Sequence, residues 1–237
     1  MHEPKRVAVL ASGGGTNLQA LIDCFNPAPA PPARVELVIA SRAGIGALER
    51  AARSEIASVV LDAREMAPGE LAGRMLGELE RHRIDVVVLA GWMQLVPLGV
   101  VERFHGRMLN IHPALLPAFG GKGMYGIRVH RAVIESGARV SGATVHLVSD
   151  RYDEGRIVAQ WPVPVLPGDT PETLAARVLA VEHRILPLAV EAVARGDVPQ
   201  AVVGPLCFDL IEAPAPPAAS VRVTMSAVGA EADPAPK

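Results

Sequence analysis

Asn110 and His112 stand two residues apart at the end of the short apolar run Met108-Leu109-Asn110-Ile111, and Pro113 and Pro117 follow closely. On an extended strand this spacing sends both side chains to one face and turns Ile111 to the other. An amide and an imidazole together at a strand end can donate hydrogen bonds to developing negative charge or move a proton, and the carboxyl end of a parallel strand is where open α/β sheets bind ligands. A lone buried histidine is usually a hydrogen-bonded structural residue. Asn110 beside it, with two prolines holding the next loop, favours chemistry.

A second constellation is Ser12-Gly13-Gly14-Gly15-Thr16-Asn17, where a strand runs through three glycines into a helix. Unencumbered N–H groups and the positive end of a helix converge there, which makes an anion site with phosphate as its natural ligand. A tight turn that merely needs glycine is the plain alternative. Gly13-x-Gly15 also begins a dinucleotide fingerprint, with Arg42 as a ligand for an NADP 2′-phosphate, but Leu18 stands where the third glycine belongs and no acidic residue follows the second strand. A P-loop is excluded because Lys-Ser/Thr does not follow these glycines, and Gly120-Gly121-Lys122-Gly123 continues into Met124. The third polar stretch runs from Gly142 to Gly155: Thr144, His146 and Val148 alternate as on a strand with a polar face, and Asp153 sits in a turn. Asp153 is then either an ordinary turn former or an acid–base group, and His146 is equally open.

The elements that must hold these residues follow a βαβ rhythm. Val7 to Leu10, Val35 to Ala40, Val59 to Leu61, Val86 to Ala90 and Met108 to Ile111 are expected strands, with helical patterns between most of them. That alternation implies a parallel sheet covered by helices. The first helix carries Leu18, Leu21, Ile22 and Phe25 on one stripe, with Thr16 or Asn17 placed to cap it. After Ile134 the rhythm changes, and Val140 to Val148 and Ile157 to Val165, joined by a turn at Asp153-Glu154-Gly155, read as an antiparallel excursion. A last helix starts at Thr170-Pro171, buries Leu174, Val178, Val181 and Ile185, and ends before Gly196, with a kink expected at Pro187. Beyond Glu212 the chain is Ala/Pro-rich, and a disordered tail is expected over 213–237.

With 237 residues, half of them hydrophobic, the chain can bury a sizeable core. A net charge of -2 gives no general attraction to nucleic acid or to an anionic membrane, which points to a small substrate. Cys24 and Cys207 lie far apart without metal or disulfide spacing, so a reducing, cytoplasmic setting is expected. No apolar run approaches the ~18 residues of a membrane span.

Taken in order, Ser12 to Ala20, Val86 to Met93, Asn110-Ile111-His112-Pro113, Leu115-Leu116-Pro117, Gly142 to Gly155 and Glu182-His183 resemble the folate-dependent phosphoribosylglycinamide formyltransferases over about residues 6 to 198. The resemblance implies an α/β fold: a single Rossmann-like domain with a mostly parallel twisted sheet, an antiparallel C-terminal part and helices on both faces. It implies a catalytic domain over 1–200, phosphate-binding in its N-terminal half and folate-binding in its C-terminal half. Asn110, His112 and Asp153 match the family's catalytic residues. Gly15, Thr16, Asn17 and Glu182 match its contacts to the glycinamide substrate. Met93, Gln94, Leu95 and Val96, with Asn110 and Ser149, Asp150, Arg151, Tyr152 and Asp153, match its folate contacts. Many relatives carry Ser-Arg-Glu before the third helix, with the Arg on folate. Here Pro68-Gly69-Glu70 stands there, and Arg64 is out of register.

The implied reaction moves a formyl group from 10-formyltetrahydrofolate, a co-substrate, to the amine of phosphoribosyl glycinamide through a tetrahedral intermediate. No metal is required, and the partners are these two small molecules, without nucleic acid or membrane, on a monomer or homodimer. Asn110 and a protonated His112 are expected to stabilise the formyl oxygen, with Asp153 moving protons and keeping His112 charged. The glycines of the Phe119–Gly126 loop suit a mobile flap. Formyltetrahydrofolate hydrolase and methionyl-tRNA formyltransferase share the Asn-x-His-Pro half-site, but neither needs the glycine turn. An NADP oxidoreductase is the distant alternative.

Overall fold

In a computed structural model of the chain, the described residues are 3–67 and 69–197. The expected tail over 213–237, Pro68, Cys207 and the last three residues of the expected domain, 198–200, lie outside them. All the described residues fall in one structural unit.

The strands β1 (Lys5–Ala11), β2 (Ala33–Ala40), β3 (Ala57–Val60), β4 (Val86–Leu89) and β5 (Met108–His112) alternate with helices α1 (Thr16–Phe25), α2 (Gly46–Arg53), α3 (Glu70–Arg81) and α4 (Leu98–Arg103). There follow α5 (Ile127–Glu135), β6 (Val140–Leu147), β7 (Ile157–Pro164) and α6 (Pro171–Arg195). One seven-stranded sheet has the order β3-β2-β1-β4-β5-β6-β7, parallel up to β5 and antiparallel from β5 through β7. Thus the expected mixed sheet is observed.

Val7 to Ala11 of β1 are completely buried, as a central parallel strand covered on both faces requires. On one face Ala8, Leu10, Leu37, Ile39, Val87 and Leu89 pack with Met75 and Leu79 of α3, Val100 of α4 and Phe104 just after it. Across the chain, α6 packs against α1, α5, β6 and β7. Among the described residues no helix is long and apolar enough to cross a membrane.

Local readings from the sequence need two corrections, one at the start of α1 and one on the inward stripe of α6. Gly15, in the left-handed conformation with φ of 73°, caps α1 without a side-chain bond, and Thr16 and Asn17 are already helical. Glycine is needed there because a Cβ would lie 2.7 Å from Ala47 Cα. In α6, capped by Thr170 through a capping box, helix runs through Pro187 without a break, anchored by buried Leu186, Pro187, Ala189 and Val190. On its inward stripe Val181 is only half-buried, whereas Glu182 is buried.

Candidate active site

The sheet order reverses between β1 and β4, and ligand crevices in α/β sheets open beyond the strand ends at such a switch point. Just past those ends Ser12 N–H donates to the Gly91 carbonyl, and Met93 N–H donates to Ser12 Oγ at 3.1 Å. The glycine turn after β1 is thereby fastened to the Met93 segment after β4. Alongside, the β5–β6 register sets Asn110 opposite His146 and His112 opposite Thr144.

This register brings Asn110, His112 and Asp153 together although Asp153 is 41 residues beyond His112. Asn110 Nδ2 donates to Asp153 Oδ1 at 3.3 Å and lies 3.0 Å from His146 Nε2. His146 Nδ1 donates to the Leu147 carbonyl at 2.8 Å, since a carbonyl can only accept, and its Nε2 lies between the Asn110 amide and Asp153 Oδ1, the latter 3.6 Å away. His112 Nδ1 faces Asp153 Oδ2 at 3.5 Å, while its Nε2–H donates to the Phe119 carbonyl at 2.9 Å. Gly121 N–H completes the ring by donating to Asp153 Oδ2 at 2.9 Å.

Burial opposes charge on the Asp153 carboxyl, yet His146, His112 and the Gly121 N–H outweigh it and hold the group below its ordinary range. Burial likewise pushes the His112 imidazole down, against the pull of Asp153 and the Phe119 carbonyl. The protonated His112 expected from the sequence is therefore disfavoured in the unliganded site: a ring only 3% exposed has lost the water that would solvate its cation. Backbone conformation is unusual here as well. Phe119 and Asp153 are both left-handed, with φ of 56° and 57°, a conformation non-glycine residues adopt mainly where surrounding contacts enforce it. Gly155 lets the turn that carries Asp153 close onto β6, because any Cβ there would collide with the Leu147 carbonyl oxygen.

A cleft of about 380 Å³ opens over these groups. Every residue matched to folate lines it except Asp150, which is exposed: Met93, Gln94, Leu95, Val96, Asn110, Ser149, Arg151, Tyr152 and Asp153 all do. Met93, Leu95, Tyr125 and Tyr152 leave large apolar surfaces exposed along it. Trp92 Nε1 and Gln94 Oε1, on residues of the same wall, are buried without a hydrogen-bond partner among the described residues. His146 was left open by the sequence and belongs to the cluster; its place on the polar face of β6 was the available signal. The Phe119 carbonyl and Gly121 N–H were missed, because backbone groups carry no residue-type signature.

The residues matched to the second substrate form a separate patch that does not line this cleft. Asn17 Nδ2 donates to Glu182 Oε2 at 2.6 Å, and Asn17 Oδ1 is buried without a partner among the described residues. Burial raises the Glu182 carboxyl above its ordinary range, with the Asn17 bond opposing. Arg64 is bound to Asp62 and does not line the cleft, and Arg42 is exposed after β2. Among the described residues no cluster of three or more His, Cys, Asp or Glu could hold a metal ion.

Comparison with known proteins gives a consistent set of relatives. A family model described as formyl transferase matches residues 5–190. The chain is 45% identical over 188 residues to the chloroplastic phosphoribosylglycinamide formyltransferase of Arabidopsis thaliana, covering 78% of this chain and 64% of that protein. It is 40% identical over 204 residues to the trifunctional purine biosynthetic protein adenosine-3 of Homo sapiens, covering 86% of this chain and 20% of that one. It therefore spans less than two thirds of the length of either. Among solved structures, glycinamide ribonucleotide transformylase 1 from Symbiobacterium toebii superposes with a TM-score of 0.75 at 42% identity, covering 81% of this chain and 89% of that one. Phosphoribosylglycinamide formyltransferase from Brucella melitensis gives 0.74 at 41% identity, covering 81% and 96%.

Proposed function

Because the chain belongs to the formyl transferase family, we propose that it transfers the formyl group of 10-formyltetrahydrofolate to the primary amine of N1-(5-phospho-D-ribosyl)glycinamide, a step of purine biosynthesis. The observation that carries this reading is the convergence of Asn110, His112 and Asp153 on one cleft, bordered by the glycine turn. The names of the relatives support the choice of amine.

The cleft volume suits a drug-sized heterocycle, and its apolar side chains suit the flat rings of a folate. Buried polar atoms without partners, such as Trp92 Nε1 and Gln94 Oε1, are costly by about 1–3 kcal/mol each unless a ligand satisfies them. A pterin edge offers both donors and acceptors. On the other side, Gly15, Thr16 and Asn17 would take the substrate phosphate, and Asn17 with Glu182 its polar body.

An α-amino-like nucleophile has a pKa near ~8, so a useful fraction is neutral at neutral pH and attacks the formyl carbon directly. Negative charge then grows on the formyl oxygen. His112 Nε2–H is already a donor in its neutral form, and the formyl oxygen would replace the Phe119 carbonyl as its acceptor. Asn110 Nδ2 adds a second donor once it releases one of its two present partners, His146 or Asp153. Asp153, ionised at neutral pH, takes the proton lost by the attacking amine, directly or through water, and returns it toward N10 as the C–N10 bond breaks. While the oxyanion stands, that same proton can pass from Asp153 Oδ2 to His112 Nδ1, 3.5 Å away, before it goes on to N10, so the imidazole gains charge in the transition state rather than before it. Cytoplasmic location is part of the proposal, supported by the cysteine usage.

The test is formation of deformylated folate, followed by absorbance, with and without the amine. Amine-dependent turnover that falls by ~10²-fold or more in His112→Ala supports the transferase reading, since loss of one oxyanion donor typically lowers rate by ~10² to 10³. Amine-independent turnover would assign a hydrolase instead.

A further inference from the structure

The glycine turn owes its shape to α2 as much as to its glycines. Ala47 N–H donates to the Gly13 carbonyl at 3.1 Å, and Arg50 Nε donates to the Gly14 carbonyl at 2.8 Å. Arg50 also reaches α1, where its Nη1 donates to Gln19 Oε1 at 3.1 Å. Contact is close enough to exclude side chains: a Cβ on Gly46 would lie 3.0 Å from the Gly14 oxygen, and Gly15 lies against Ala47.

In a trans peptide the carbonyl and the following N–H point to opposite sides of one plane. Once the Gly13 and Gly14 carbonyls are drawn toward α2, the N–H groups of Gly14 and Gly15 must face away from it. Neither N–H has a hydrogen-bond partner among the described residues. The Gly15 carbonyl accepts from Gln19 N–H as the first bond of α1, so its plane directs the Thr16 N–H out of the helix start. Three consecutive donors are therefore oriented by bonds made on the far side of the peptide planes.

We propose that Arg50 is a positioning residue for the phosphate of the amine substrate. By holding the Gly14 carbonyl it keeps a repelling oxygen turned from the anion, presents the Gly15 N–H to it, and sets a positive charge behind the turn. The role rests on the reading above that this turn takes phosphate. It is unlike a purely structural tie between α1 and α2, which would affect both substrates alike.

Arg50→Met and Arg50→Lys test it in steady-state kinetics with ribosyl glycinamide carrying or lacking its 5′-phosphate. In Arg50→Met, KM for the phosphorylated amine should rise about 10- to 100-fold, the range expected for a lost charge-assisted hydrogen bond. Changes in kcat, in KM for the formyl-folate and in KM for the unphosphorylated amine should stay within about twofold. Lysine, able to donate to Gly14 but unable to bridge to Gln19, should recover part of the loss. An unchanged KM for the phosphorylated amine, or an equal rise for both amines, would overturn the proposal. Calorimetry with inorganic phosphate separates this proposal from the functional one: phosphate binding that weakens in Arg50→Met sustains it even if wild-type protein formylates neither amine, and absence of phosphate binding to wild type refutes it.

Discussion

Replacing Asp153 with Asn removes one negative charge while leaving the backbone at ease, because Asn accepts the left-handed conformation at φ of 57° as readily as Asp does. The carboxylate serves four neighbours: Gly121 N–H at 2.9 Å, Asn110 Nδ2 at 3.3 Å, His112 Nδ1 at 3.5 Å and His146 Nε2 at 3.6 Å. An amide has one acceptor oxygen. If it stays with Gly121 N–H, its NH₂ is left facing the Asn110 amide donor. If it turns to Asn110, Gly121 loses its acceptor and the NH₂ points at the His112 side. Either way the base disappears, and so does the charge that supports a proton on His112 as the oxyanion forms. Loss of general acid–base help alone is worth ~10² to 10⁴ in rate, about 3 to 5.5 kcal/mol of barrier. We expect Asp153→Asn to lower kcat by ~10² to 10⁴, with KM for either substrate changed by less than about fivefold, since the lost interactions mature only in the transition state. The assay is steady-state release of deformylated folate with both substrates varied, alongside thermal unfolding to show that the variant is folded. A folded variant with kcat within tenfold of wild type would refute the reasoning, as would a loss confined to KM.

Two further expectations concern buried titrating groups that are not members of the catalytic trio. Glu182 has a raised pKa, so its burial destabilises the folded chain as pH rises past the ordinary glutamate value; Glu182→Gln keeps an acceptor for Asn17 and should stabilise the unliganded protein by about 1–3 kcal/mol at pH 8 while raising KM for the amine substrate. Urea unfolding at pH 8 showing a loss of stability would contradict it. His130 on α5 is held down to about 4 by burial and by the nearby His112, and its Nδ1 lacks a partner among the described residues. Its stabilising share is complete above the unfolded value near 6.5 and is lost as pH falls toward about 4, because the unfolded chain binds that proton first. The urea midpoint of wild type should therefore fall between pH 7 and pH 5, and His130→Leu should fall less; equal slopes in the two proteins would rule this out.

How far the sequence spoke for the structure depended on what kind of information each residue carried. The apolar runs of β1, β2 and β4 announced buried parallel strands, and the two-residue spacing of Asn110 and His112 told which face they share, because the period of a strand is a local property. Register between strands is not local, so nothing in the spacing alone said that His146 would stand opposite Asn110. Helix rotation failed for a similar reason: the stripe through Leu174 and Val178 fitted Val181 as well as Glu182, and the choice fell to Glu182, which finds the Asn17 amide on another helix. Turn chemistry was legible as a need for glycine at 13–15, yet the carbonyl partners that orient the turn come from α2, more than thirty residues later.

The same distinction explains the corrected charge on His112. Residue type and a nearby carboxylate both argued for imidazolium, while burial above all, and the neighbouring His146, both properties of the finished fold, argued against it. The consequence is mechanistic. A site with a permanent cation would bind anions at rest and stabilise the neutral formyl group little; a buried neutral imidazole beside an ionised carboxylate reserves its gain for the moment when negative charge appears. The Phe119 carbonyl on His112 Nε2 and the Gly121 N–H on Asp153 satisfy both groups until substrate arrives, so the Phe119–Gly126 loop is tied at two points to the residues it must release. On the proposed mechanism, the flap expected from its glycines would have a physical reason to move, because the formyl oxygen would take the place of the Phe119 carbonyl on His112.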